Sequence, residues 1–266
     1  MNHLASRLLA IALLTPVCAM AHDAWMLPSA TVLSGDEAWI TVDAAVGNDK
    51  FYFNHRALPL TGLDIQGPTG KPVEAENPYS GHLRSSFELR LTEAGTYRIA
   101  LIRKGVSAQW KENGKNKRWF GTAADAAAYI PAQAADLKVQ ERNSRIETFA
   151  TKGKPTQPAP VQDGIGLATD GHPNDLFAGE MTGFTVTIDG KPAARTEVEI
   201  VPEGSRYRDA LDAITVTTDD NGRFSVTWPQ AGRYWLSIES KDKKITVEQA
   251  SLRSLTYSAT LEVLPQ

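Results

Sequence analysis

The 266-residue chain has one cysteine, Cys18. One thiol makes no internal disulfide and none of the cysteine-pair zinc signatures, so stability and any metal chemistry must come from other residues. An excess of positive charge is also missing. Twenty-eight Lys and Arg face 31 Asp and Glu, for a formal net charge of −3, which argues against a nucleic-acid binder. After the first twenty residues no apolar run approaches the roughly 20 residues of a membrane-spanning helix. Catalytic signatures are lacking too. There is no Gly-x-Ser-x-Gly elbow, no glycine-rich phosphate loop and no His-Glu-x-x-His. Asp219 and Asp220 are adjacent carboxylates, but Asp-Asp-Asn-Gly between two β-type runs reads as a turn.

What is present begins with an export signal. Arg7 supplies a positive start, Leu8 to Val17 an apolar run too short to span a bilayer, and Ala19-Met20-Ala21 a small-x-small cleavage site. Cleavage after Ala21 removes Arg7 and Cys18. It leaves a cysteine-free periplasmic chain of net charge −4 that begins at His22. A terminal histidine carries two nitrogen donors on one residue, its α-amine and its imidazole, both able to bind a metal when neutral.

The remaining chain alternates in the manner of β-strands. Ala38 to Val42, Phe51 to His55, Ser86 to Leu91, Val139 to Ala150, Phe184 to Ile188, Glu197 to Val201 and Tyr257 to Val263 all read as strands. Ile214 to Thr217 and Arg223 to Trp228 read as a hairpin across Asp219-Asp220-Asn221-Gly222. The phrase Ala94-Gly95-Thr96-Tyr97 returns as Ala231-Gly232-Arg233-Tyr234, each time after a strand. Two copies of such a closing hairpin predict two units. The expected fold is therefore all-β: two immunoglobulin-like β-sandwich domains with a short helical insertion at Ala123 to Tyr129, which Pro131 ends. Residues 1–21 form the signal, 22–151 the first domain, 152–164 a linker rich in proline and glycine, and 165–266 the second domain. Trp110 to Trp119 reads as a polar hairpin tip. Its tryptophans and Tyr129 are either packing residues or a ligand-stacking surface, and packing is the commoner role.

Four histidines follow the signal: His22, His55, His82 and His172. None sits at helical metal spacing from another, so a site would have to be assembled from distant segments. His22 is the strongest candidate because its chelate needs only one residue, and Asp23 offers an oxygen donor beside it. His172, in Gly171-His172-Pro173-Asn174-Asp175, also reads as part of a turn.

The segments His22 to Pro28, Leu33 to Asp36, Ala94 to Tyr97, His172 to Glu180, Asp189 to Pro192 and Thr218 to Phe224 together resemble the periplasmic NikM-like domain proteins, a domain-of-unknown-function family linked to nickel and cobalt uptake. His22-Asp23 matches that family's His-Asp/Glu-x-Trp opening. Leu167-Ala168-Thr169-Asp170 departs from its usual apolar-x-x-Pro phrase, and His-rich loops are missing. The resemblance implies a β-rich periplasmic protein associated with metal transport; the first reading is therefore an accessory protein, not an enzyme, that binds a divalent transition metal at His22, helped by one or more of His55, His82 and His172. Nickel or cobalt is favoured, while the nitrogen donors suit copper or zinc equally. The implied partners are the metal ion and an envelope metal transporter or outer-membrane receptor. Two other readings stay open. A histidine-brace copper enzyme acting on polysaccharide needs a second histidine beside His22 and an exposed aromatic surface. A non-metal binding or adhesion module gives His22 no special role. Mass spectrometry of the exported protein is expected to give a chain that starts at His22, and a mature chain retaining Cys18 would remove the basis of the terminal chelate.

Overall fold

The computed structural model describes residues 23–266, so the signal and His22 lie outside the described residues. In chain order the first half contains β1 (Asp23–Pro28), β2 (Val32–Leu33), β3 (Ala38–Gly47), β4 (Arg56–Ala57), β5 (Leu63–Gln66), β6 (Glu76–Ser80), β7 (Ser85–Leu91), β8 (Gly95–Glu112), β9 (Lys115–Gly121), α1 (Ala123–Tyr129) and β10 (Ala135–Lys152). The second half contains β11 (Ile165–Thr169), β12 (Met181–Ile188), β13 (Lys191–Pro192), β14 (Glu197–Pro202), a 3-10 turn at Ser205–Tyr207, β15 (Ile214–Thr217), β16 (Arg223–Thr227), β17 (Gly232–Asp242) and β18 (Leu252–Val263). No helix among the described residues is long and apolar enough to cross a membrane.

Three sheets result. A nine-stranded sheet runs β15-β14-β17-β18-β10-β8-β5, with β2 and β9 joined at its sides. A five-stranded sheet, β1-β3-β7-β6 with β4, packs on one face of it. A four-stranded sheet, β11-β12-β13 with β16, packs on the other. The period-two alternation of β10 makes this possible. Ile146 and Ala150 point into the first core with Ile40, Leu89 and Ile99, while Phe149 points into the second with Phe184, Trp228 and Leu236. The two main cores are therefore separate, but the sheet between them is continuous. Gln140 to Glu147 pair in parallel with Leu252 to Ala259, so the split expected at Lys152 to Gly164 does not separate independent sheets.

The repeated phrase has a common geometry. Gly95 and Gly232 turn at φ of 132° and 139°, and Tyr97 and Tyr234 are buried behind them. The Tyr97 hydroxyl donates to the Glu93 carbonyl (3.2 Å) and the Tyr234 hydroxyl to the Gln230 carbonyl (2.8 Å), each four residues back. These are tyrosine corners. They join strands of different sheets, β7 to β8 and β16 to β17, so they are arches and not the closing hairpins expected.

The same correction applies at Asp219 to Gly222, where β15 pairs with β14 and β16 with β12. The Asp219 carboxylate accepts from the Asn221 and Arg223 amides, both at 2.8 Å, which makes the turn without pairing its flanks. Phe51 to His55 is also not a strand. It closes a loop in which Asn54 accepts from the Asn48 amide (3.0 Å) and donates to Asp49 (2.9 Å). Asn113 and Gly114 supply the positive φ values, 50° and 74°, of the tight β8–β9 turn. On that hairpin Trp119 stacks on Tyr129 of α1 at 6.0 Å, around a small third core of Val106, Ala108, Ala126 and Ile130.

Leu255 is fully buried in the shared ladder. Leu255→Ala is expected to cost about 2–5 kcal/mol and to lower hydrogen-exchange protection in β3 and β12 together. Loss confined to β12 would mean that the two cores open independently.

Candidate functional site

The first strand is anchored at the boundary between the two halves. The Asp23 carboxylate is paired with Lys50, whose ammonium also lies 4.2 Å from the centre of the Trp235 ring. The Ala24 carbonyl accepts from Trp235 Nε1 (3.1 Å) and from the Ser258 hydroxyl (3.0 Å). Trp25 is completely buried, edge-on to Phe51 and Phe53 at 5.7 and 5.0 Å. The His-Asp-x-Trp opening thus owes its tryptophan and its aspartate to anchoring. Asp23 is committed to Lys50, so the oxygen donor expected there is already engaged. Nothing local in the sequence marks Lys50 or Trp235 for this role, since both lie far from Asp23 along the chain.

The backbone brings Asp23, the residue that follows His22 in the chain, and the segments carrying His55 and His82 to one end of the five-stranded sheet. Asp23, which follows His22, pairs with Gly47. On the other side of β3, Val46 pairs with Arg56, which follows His55. Beyond β4 the Ala57 amide donates to the His82 carbonyl at 2.9 Å. Neighbouring strands are about 4.8 Å apart, so Asp23 and the His55 segment are roughly 10 Å apart and the His82 segment is one step further. The side chains of His55 and His82 are exposed. Among the described residues no three His, Cys, Asp or Glu side chains cluster closely enough to hold a metal, so a site here depends on the donors of His22. Beside Asp23 a groove of about 250 Å³ is floored by Ser144, Ser237, Thr256 and Ser258 and flanked by Arg142 and Glu239. It offers hydroxyl and charged groups to a polar ligand.

His172 is elsewhere. It sits near Thr96, beyond the opposite end of β7, about 20 Å away at the strand rise of ~3.3 Å per residue. It is buried, and both ring nitrogens are engaged. Nδ1 accepts from the Asn174 amide at 3.1 Å. Nε2 therefore carries the proton and faces the Thr96 hydroxyl (2.7 Å) and the Thr156 carbonyl (3.2 Å). Asn174 continues the knot, accepting from Thr151 (2.9 Å) and donating to the Phe149 carbonyl (3.2 Å). The sequence reading of His172 as a ligand is corrected: its nitrogens bolt the start of the second half to β8 and β10. The Asp219–Asp220 pair is likewise structural, with Asp219 capping its turn and Asp220 facing Arg195 at 3.4 Å.

A second cluster lies on the shared sheet. Glu147 is completely buried, accepts from the Tyr257 hydroxyl (2.6 Å) and from Arg145 (3.3 Å), and is 3.6 Å from Arg98. Burial, with the adjacent carboxylate, holds the Tyr257 hydroxyl well above its ordinary pKa, so it stays a donor.

Fold and geometry define a β-sandwich protein of immunoglobulin-like class with two cores on one shared sheet. The chain belongs to the family described as Domain of unknown function (DUF4198), whose profile matches residues 19–242. No curated protein matches it. Solved structures similar to it include trypsin-activated alpha-2-macroglobulin from Escherichia coli (13% identity, 93% of this chain and 16% of that one, TM-score 0.23). A two fibronectin type-III domain segment from chicken tenascin is similar at 15% identity, over 90% of this chain and 97% of that one, with a TM-score of 0.23. The D0-D1 domain of intimin is similar at 13%, over 90% and 97%, with a TM-score of 0.22. The chain spans only 16% of the macroglobulin's length. At such TM-scores these likenesses carry no functional weight.

Burial pushes the His172 imidazole below its ordinary pKa of 6.5, against smaller opposing effects from the Thr156 carbonyl and Asp175. The unfolded chain then binds a proton that the folded chain resists. Stability is full above about pH 6.5 and is lost as pH falls toward the lower folded value. Urea unfolding between about pH 7 and pH 5 is expected to show a steeper loss for the native chain than for His172→Gln. Identical slopes would mean that His172 is protonated as easily in the fold as outside it.

Proposed function

We propose that this is an exported, non-enzymatic envelope protein that binds a divalent transition metal. Its donors are the α-amine and imidazole of His22, exposed by cleavage after Ala21, joined by His55, His82 or both. The observation that carries the reading is the strand order at one end of the five-stranded sheet, where Asp23 and the His55 segment flank the end of β3 and the His82 segment lies next to the His55 segment. An amine and an imidazole on one residue form a chelate with little extra ordering cost, and a neighbouring imidazole completes a nitrogen-rich set suited to nickel, cobalt, copper or zinc. Nickel or cobalt is favoured by the NikM-like resemblance alone, as is delivery to an envelope transporter or outer-membrane receptor. The family description itself names no metal.

The pairing of Asp23 with Lys50 supports an all-nitrogen set, because it keeps the carboxylate occupied. It also supports a rigid platform, since Trp25 and the Ala24 carbonyl fix the strand immediately after His22. Protons compete for both His22 nitrogens, so affinity falls as pH drops.

Calorimetric titration with nickel, cobalt, copper and zinc tests this on a chain beginning at His22 and on one extended by a single residue. The authentic terminus is expected to bind at least roughly tenfold more tightly, and His55→Ala or His82→Ala to weaken binding further. Equal binding by both termini, or none by either, would leave the non-metal binding module as the reading.

A further inference from the structure

Beneath the segment that links the two halves lies a cleft of about 90 Å³. The chain from Pro155 to Val161 crosses it as a strap. The strap is held down by the Thr156 amide on the Thr96 hydroxyl (3.1 Å) and by Gln157 Nε2 on the Gly171 carbonyl (2.7 Å). A third bond runs from Arg98 Nη1 to the Ala159 carbonyl (2.5 Å). The cleft is walled by apolar groups, among them Phe149, Val161, Leu167, Pro160, Pro173 and Leu261.

Arg98 is the charged side chain on this wall, and it is 6% exposed. Its Nε has no hydrogen-bond partner among the described residues. The nearest anion, Glu147, is 3.6 Å away and already accepts from Tyr257 and Arg145. Glu147 is thus shared by Tyr257, Arg145 and Arg98, and Arg98, which also lies 5.7 Å from the centre of the Phe149 ring, keeps one guanidinium nitrogen without a hydrogen bond next to an apolar space. A buried donor left without a hydrogen bond is costly, and a guanidinium is the side chain best matched to a carboxylate. A space of this size holds several waters or one small organic acid.

We propose that this cleft binds a small monocarboxylate with a short apolar body, its carboxylate on Arg98 and its tail against Phe149 and Leu261. The apolar walls disfavour a fully hydrated anion such as phosphate. The strap makes the site a joint between the halves, built only when β8, β10 and β11 are all in place.

The test uses the chain beginning at His22 without metal, with propionate as probe, followed by calorimetry and by saturation-transfer NMR on the propionate methyl. Propionamide, propylamine and inorganic phosphate are the controls. Saturable binding of propionate, without binding of the three controls, is the expected result. Arg98→Lys is expected to weaken it roughly tenfold, because a point charge replaces a planar fork. Ala168→Trp places an indole at the exposed side of the cleft, away from the Glu147 cluster, and is expected to abolish binding in a chain that still folds. Propionate that fails to bind, binds no better than propionamide or phosphate, or binds equally to Ala168→Trp would overturn the proposal and leave the cleft to water.

Discussion

The parallel ladder between β10 and β18 is the contact on which the rest depends. It converts two sandwiches into one body, because β10 donates side chains to the first core from one face and to the second from the other. The ladder carries a polar cost at its last pair, where Glu147 is buried without any solvent contact. Tyr257 from the neighbouring strand and Arg145 from β10 itself satisfy that carboxylate, and Arg98 stands beside it. Removing one partner would leave a buried charge or acceptor short, which destabilises far more than any surface pair. The cluster thereby fixes register: a one-residue slip would turn Glu147 into the first core, where no such partners exist.

Two smaller devices stiffen the joint. The knot of Thr96, Thr151, His172 and Asn174 ties the beginning of the second half to the ends of β8 and β10. On the far side, Arg253 of β18 pairs with Asp189 (2.8 Å) in the β12–β13 turn and with Asp242 (2.5 Å) at the end of β17. Hydrogen bonds from Arg253 hold the Asp189 carboxyl far below its ordinary pKa, and they raise that of Arg253 in return. Together these contacts clamp the four-stranded sheet to the shared one at both ends. A proline-rich stretch that composition reads as a spacer consequently lies flat, fixed by its own backbone groups.

The strands were legible where apolar residues alternate, as in Ser86 to Leu91, and α1 was legible from its alanines and the proline after it. The Ala-Gly-x-Tyr repeat was visible as well, because Gly95 and Gly232 need φ values that other residues avoid and each tyrosine bonds only four residues back. What escaped was pairing between distant segments. Alternation states that Ile214 to Thr217 is a strand, but it does not say that Val198, and not Phe224, lies beside it. The site divided in the same way. His22 and Asp23 were conspicuous by position. That Asp23 would meet Lys50, that His172 would be consumed by Thr96 and Asn174, and that Arg98 would border a cleft are facts of long-range geometry with no local signature.

The ladder also bears on how the chain reaches its fold. Its paired residues stand 112 positions apart, as Gln140 does from Leu252. Such a contact order slows folding, because a long loop must close before the pairing rewards it. During synthesis β10 emerges with one edge covered by β8 and the other, beyond the two residues paired with β2, bare until β18 arrives. The nascent first half is therefore an incomplete sheet with an open flank, and a bare flank of that kind invites pairing with other chains. A chain that stays unfolded until its C-terminal strands are made avoids the hazard.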